Sequence, residues 1–271
     1  MAHRMLIAGS RKADIRMVTY AKALVKWAKD SNVTIVVRDN PEGVDQAVIE
    51  ACRELGVDTI CAGIAEKPRN GGHGKYIRVK GDYSERDRQM AQACNRAIYI
   101  WNCDSPGTKK GYEYAKSIGR EAAMMEFVPL KKLYTMGYTG RSIEDLRKAV
   151  HGLGAYLADI RFSPVSRNPI WNGDNLSNEF GLLYKHVKDL GNKNYSNPEK
   201  PHVLVDAEFG LWDIEWMLTV APVILLCACE DAHTCHRTTA ATMIAERLGV
   251  EVEEITDING IPAGIEQPTL F

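Results

Sequence analysis

At 271 residues, 45% of them hydrophobic, the chain is long enough to bury a substantial core, as one large domain or two modest ones. Its 34 basic and 35 acidic residues leave a formal charge of -1, which excludes a global polyanion-binding surface and leaves any nucleic-acid claim to local motifs. No apolar run is long enough to cross a bilayer, and the start "MAHRMLIAGSRK" lacks the zones of a signal peptide. Seven scattered cysteines, an odd number, fit reduced thiols better than a secreted disulfide framework, so a cytoplasmic protein with no membrane partner is expected.

From residue 5 to 127, short apolar runs alternate with amphipathic stretches of helix length. "MLIAGS" precedes a helix over 15–29, "VTIVV" a helix over 43–55, and "VDTICAG" a long loop and a helix over 84–94. "RAIYIW" then leads to a helix over 109–118 and a last strand in "EAAMMEF". Strands alternating with helices predict a parallel sheet covered on both faces, a Rossmann-like α/β layer sandwich.

The pattern restarts after "VPLKK", which places a boundary near residue 130. "LYTMGY", a helix over 142–152 and "AYLADI" come first, followed by a long polar section. A helix over 209–218, "PVILLC", a helix over 234–248 and "VEVEEI" complete a second three-layer α/β domain. The expected division is 1–130, 131–256, and a tail over 257–271.

In open parallel sheets ligands sit outside the carboxyl ends of the strands, where backbone amides and helix N-termini favour anions. Three loops of the first half fit that role. In "AGSR", Gly9 permits close approach, Ser10 can donate to phosphate, and Arg11 can clamp it with paired N–H groups. "NPEGVD" opens a helix at Gly43 with Asp45 in its first turn, and "WNCDSPGTKKGYEYA" puts Ser105, Gly107 and Thr108 at a helix start.

The stretches "MLIAGSR", "PEGVDQAV", "GDYSERDRQMAQACNRAIYIW" and "SPGTKKGYEYA", in that order, resemble the SLOG superfamily of Rossmann-like nucleotide-binding domains. That group includes the DNA-processing protein DprA and the Lonely Guy phosphoribohydrolases. The resemblance spans residues 5–127 and implies a nucleotide or nucleotide-derivative site at Gly9, Ser10, Arg11, Gly43, Asp45, Arg86, Gly107 and Thr108. Related domains commonly pair, so a homodimer is an expectation. "SPGTKKGYE" departs from the PGGxGTxxE signature of the phosphoribohydrolases, which points to binding rather than hydrolysis in this half.

The second half opens with "GYTGRS", where two glycines frame Tyr138 and Arg141 before a helix capped by Ser142. "LADIRFSPVSRNP" ends a strand with Asp159 and Arg161 and carries Arg167 in the loop beyond. Arg141, Arg161, Arg167 and Arg237 all fall at strand ends or helix starts, and the planar guanidinium suits phosphate or carboxylate, so an anionic ligand is expected where they converge. In "CACEDAHTCHR", a buried strand runs into an amphipathic helix, so Cys235 and His236 belong to the first helical turn. A helix N-terminus stabilises a thiolate and Arg237 adds to the effect, making Cys235 a candidate nucleophile.

Zinc competes for Cys227, Cys229, Cys235 and His236, which supply the right atoms. A C-x-C at a strand end is stiffer than the usual knuckle of roughly two to four residues, so no resident cofactor or metal is expected.

"GYTGRS", "ADIRFSPVSRNP", "YKHVKDLGN" and "ILLCACEDAHTCHRTTAATMIAERLGVEVEEI" resemble the family called domain of unknown function 488 over residues 133–255. The resemblance nominates Arg141, Asp159, Arg161, Arg167, Cys235, His236 and Arg237 as the functional surface and names no reaction. Finally, "QPTLF" resembles the bacterial sliding-clamp-binding motif, with Gln267, Leu270 and Phe271 as its anchors. Together these readings predict a nucleotide-binding protein of nucleotide or DNA metabolism. It would act either as a hydrolase or transferase on a nucleotide, nucleobase or sugar–base bond, through Cys235, His236, Arg237, Asp159 and Arg161, or as a non-catalytic nucleotide sensor or nucleic-acid-binding module.

Overall fold

The computed structural model describes residues 3–197 and 199–261. The chain divides into two compact units between Pro129 and Leu130. The first runs β1 (Arg4–Gly9), α1 (Ile15–Asp30), β2 (Thr34–Arg38), α2 (Gly43–Leu55), β3 (Thr59–Gly63), β4 (Lys75–Arg78), α3 (Tyr83–Gln92), β5 (Arg96–Trp101), α4 (Pro106–Ser117) and β6 (Glu121–Glu126). Its six strands form one parallel sheet in the order β4-β3-β2-β1-β5-β6.

Alternation along β1 shows why this sequence makes a layered unit. Met5 and Ile7 enter the core under α1 and α2, with Met17, Val25, Val48 and Ile49. Leu6 and Ala8 enter the opposite core, with Met90, Ala91 and Ala115 from α3 and α4. A strand covered on both faces must be apolar at every position, as "MLIA" is; each large side chain so buried contributes about 1.5–3 kcal/mol. The caps agree with the elements: Asp14 accepts from Met17 N (3.1 Å) at the start of α1, and Gly56 closes α2 with φ 67°.

The second unit runs β7 (Leu133–Gly137), α5 (Ile143–Leu153), β8 (Tyr156–Asp159), α6 (Gly173–Phe180), β9 (Tyr184–His186), α7 (Ala207–Val220), β10 (Val223–Cys227), α8 (His236–Leu248) and β11 (Val252–Glu254). Its strands are parallel in the order β11-β7-β10-β8-β9. Central β10 alternates as β1 does. Val223 and Leu225 meet α7 and α8, while Ile224 and Leu226 meet α5 and α6. Ser142 and Asp145 form the reciprocal capping box that starts α5.

The chain is thus α/β throughout, with two parallel sheets, as expected. The sequence reading passes over β4, β9 and α6. β4 is a mostly exposed edge strand of sequence "KYIR", and an edge strand lacks the apolar alternation that marks a buried one. β9 has only three residues, too few to show any period. No helix among the described residues is long and apolar enough to cross a membrane. Gln267, Leu270 and Phe271 lie outside the described residues.

Candidate functional site

In the first unit, β1 neighbours both β2 and β5, and the chain winds outward from this pair in both directions. That reversal leaves a crevice between the loops leaving β1 and β5, the place where doubly wound sheets bind ligands. A cavity of about 600 Å³ opens there, lined by Arg11, Lys12, Asn102, Ser105, Gly107 and Thr108, with Tyr83, Arg88, Lys110 and Tyr114 around it. Six basic side chains line it against two acidic ones.

Asn102 shapes this mouth. Its N–H donates to Ser10 Oγ (3.1 Å), its Nδ2 donates to Lys12 O (3.2 Å), and its Oδ1 accepts from Asp104 N and Ser105 N (3.2 and 3.0 Å). The last two bonds make a turn that delivers the chain into α4. Ser105 makes no side-chain cap to that helix, and Pro106 at its start has no N–H. Gly107 and Thr108, in the first turn of α4 where amides lack an intrahelical partner, line the cavity, and a Cβ on Gly107 would find open space. Arg11, Lys12, Arg88 and Lys110 are exposed around them.

Several residues expected to bind ligand instead build the wall behind it. Ser10 is fully buried, its Oγ accepts from Asn102 N and its carbonyl accepts from Val44 N (3.1 Å). Gly43 adopts φ 68°, and a Cβ there would stand 2.2 Å from Arg11 O; the glycine serves contact between two loops. Gly9 is covered by Val44, and its N–H donates to Asp45 Oδ1 (3.3 Å). Asp45 also accepts from Asn40, and its Oδ2 lies 2.9 Å from Arg38 Nε, an ion pair whose alignment is poor for a hydrogen bond. Burial raises the Asp45 carboxyl above its ordinary value against the pull of Arg38.

Arg86 is also buried, donating to Asp39 Oδ1 (2.9 Å) and to Asp87 Oδ1 (2.8 Å). Asp39, fully buried, takes Arg69 as well, through Nε and Nη2 (3.0 and 2.9 Å), and both arginines lie 5.0 Å from the centre of the Tyr83 ring. Burial alone would raise the Asp39 carboxyl, but Arg69 and Arg86 hold it below its ordinary value. Arg38, Asp39 and Arg69 were not singled out from the sequence. The usable signal was "RDN" directly after the buried run "IVV", three polar residues at a strand's carboxyl end.

In the second unit the predicted residues gather at the carboxyl ends of β7, β8 and β10. Asp159 is fully buried and accepts from Arg161 N (3.2 Å), Arg161 Nε (2.8 Å) and Tyr184 OH (3.0 Å). Arg161 also reaches Tyr138 OH (3.3 Å) and lies over the Tyr138 ring, which stacks on Trp171 at 4.5 Å. Burial opposes the charge on Arg161, but Asp159 holds the guanidinium above its ordinary value. Two histidines fix the loop that follows β8: His186 Nε2 meets Arg161 O and His236 Nε2 meets Ile160 O, each at 2.8 Å.

Arg237 is fully buried. Its Nη1 donates to Cys229 O (2.7 Å), and its Nη2 donates to Glu230 O (2.9 Å) and Glu254 Oε1 (3.0 Å). It ties the loop after β10 to the end of β11, which corrects the expectation that it faces an anion. Arg141 donates to Ile255 O (2.6 Å), and Arg167 is exposed. His236 Nδ1 lies 3.6 Å from Cys227 Sγ.

The thiols do converge. Cys227, Cys229 and Cys235 place their Sγ atoms within 4.8 Å of one another, with Cys229 exposed and the other two buried. The stiffness of the C-x-C run does not prevent this, because the third thiol comes from the cap of α8. The bond with Cys229 works the other way, but Cys235 and burial push the Cys227 thiol up to about 12.

Fold and site together define a two-unit parallel α/β protein with a basic switch-point cavity in one unit and a thiol cluster in the other. Within the second unit, residues 145–244 match the family described as Domain of unknown function DUF488. That segment holds Asp159, Arg161 and all three clustered thiols. Among curated proteins none matches this chain. Two solved structures are similar to parts of it: the Moco carrier protein from Chlamydomonas reinhardtii (17% identity) and the molybdenum cofactor binding protein from the phototrophic bacterium Rippkaea orientalis (11% identity). Each likeness covers 47% of this chain and 78% of the other, with a TM-score of 0.42.

Proposed function

We propose that the first unit is a binding module for a phosphate-bearing small molecule, a nucleotide or nucleotide derivative, held in the switch-point cavity. The observation that carries this reading is the uncapped start of α4 at Gly107 and Thr108, in the same cavity as Arg11, Lys12 and Lys110. Amides at a helix start and unpaired cations favour the same charge. The cavity volume suits one small ligand, and Tyr83 and Tyr114 in its lining suit the face of a base.

Binding is favoured over turnover at Cys235, His236 and Arg237. Cys235 and Arg237 are buried, and His236 has Ile160 O at one ring nitrogen and Cys227 Sγ near the other. The reading is therefore a nucleotide-binding or sensing protein whose second unit contributes a structural or metal site.

Isothermal titration of the full chain with AMP, ADP, inorganic phosphate and uncharged adenosine tests it. A charge-assisted contact contributes about 1.5–3 kcal/mol, so adenosine and the Arg11→Ala/Lys12→Ala double variant should each lose ~10-fold or more in affinity. Equal binding of adenosine, or an unchanged double variant, would refute the proposal.

A further inference from the structure

We propose that Cys227, Cys229 and Cys235 form a three-thiolate site for a thiophilic divalent metal ion of the zinc class. Three thiols, from the end of β10, the loop after it and the cap of α8, already stand within 4.8 Å of one another. A tetrahedral centre with metal–sulfur bonds of about 2.3 Å spaces its thiolates about 3.8 Å apart. Closure then requires side-chain shifts of no more than about 1 Å.

The scaffold for this geometry is already built. Cys227 ends β10 and Cys235 caps α8, so two of the ligands sit on regular elements. The intervening loop is held by Arg237 at both Cys229 O and Glu230 O, and by Asp231, which accepts from His233 N (2.9 Å) and Thr234 Oγ1 (3.2 Å). A fixed loop lowers the ordering cost of binding.

Electrostatics point the same way. Three thiolates around a divalent ion carry one net negative charge, and the site supplies compensation at fixed positions. Arg237 N donates to Cys235 Sγ (3.5 Å) at the start of α8, and the Arg237 guanidinium is buried against Cys229 O.

His236 completes the surroundings without joining the ligand set. Its Nε2–H donates to Ile160 O, so its Nδ1, 3.6 Å from Cys227 Sγ, accepts from the Cys227 thiol in the metal-free chain. Cys229 is exposed, so a fourth ligand would come from water or from a donor atom of a small molecule. Binding forms three metal–sulfur bonds, breaks three S–H bonds and releases three protons to solvent; no electron is transferred.

The experiment uses the full chain, reduced and stripped with chelator, then loaded with Zn2+ or with Co2+ as a spectroscopic probe. The expected result is about one ion per chain, with a thiolate-to-cobalt charge-transfer band that is lost in C229S and C235S and kept in C103S. Circular dichroism checks that each variant is folded. Should C235S fail to fold, alkylation of wild-type protein decides: Zn2+ should protect Cys229 from iodoacetamide in peptide mass spectra. Metal content no higher than buffer, a charge-transfer band retained in C229S, or Cys229 labelled equally with and without Zn2+ would each overturn the proposal.

Discussion

The carbonyl oxygen of Cys229 lies so close to Gly137 that a Cβ at position 137 would stand 1.8 Å from it. β7 and the thiol loop after β10 therefore touch through bare backbone. Nothing larger than hydrogen fits at 137, because the opposing atom is main chain and the added Cβ would also stand 3.0 Å from Arg237 Nη1. Gly137→Ala should move the thiol loop outward and destabilise the protein by about 1–3 kcal/mol, as overpacking does. Urea denaturation measures the loss, and weaker Co2+ binding in the folded fraction would report the displaced loop.

The Asp159–Arg161 pair should behave as a buried ion pair with a hydroxyl donor attached. Removing one member leaves the other charged and dry, so Arg161→Ala should cost about 3–5 kcal/mol. Tyr184→Phe removes one bond to the same carboxylate and should cost about 1.5–3 kcal/mol. Equal losses in the two variants, by denaturant midpoints, would contradict the network as described.

Asp39 sets a pH dependence. Its native carboxyl is held below the ordinary carboxylate range by Arg69 and Arg86 in spite of burial, so the native state binds fewer protons than the unfolded chain. The contribution is complete above the unfolded value, near pH 4, and is lost as pH falls through the native value. Asp39→Asn should therefore be clearly less stable than wild type at pH 7, with the gap narrowing below about pH 4. A gap that stays constant from neutral to acid pH would show that Asp39 is not the titrating group.

The remaining thiols should be nearly inert. Burial pushes Cys52 and Cys61 up to about 11 and Cys94 up to about 12. Brief treatment of the native, metal-free chain with iodoacetamide at neutral pH should label exposed Cys229 first and half-buried Cys103 more slowly. Cys52, Cys61 and Cys94 should react only after unfolding, as peptide mass spectrometry would show.

How far the site can be read from the sequence depends on what each residue's neighbours are. Gly107 and Thr108 belong to a strand-loop-helix unit whose shape is local, so their place at a helix start was legible. Ser10 was expected to donate to phosphate and Gly43 and Asp45 to belong to the nucleotide site, yet Asp45 accepts from Gly9 N and Ser10 O accepts from Val44 N, bonds between two loops that only packing brings together. Arg237 misled for the same reason, since its partner Glu254 comes from another strand.

The sequence by itself determined the α/β class, the strand-helix alternation and the cap of α5, because apolar periodicity and capping are short-range properties. Only the tertiary structure decided the strand orders, the switch point beside β1, the Asp39 cluster and the meeting of Cys229 with Cys227 and Cys235. Those relationships arise when distant strands lie side by side and their carboxyl ends share one edge. Which polar groups are left to meet a ligand depends on which ones have already paired inside the fold.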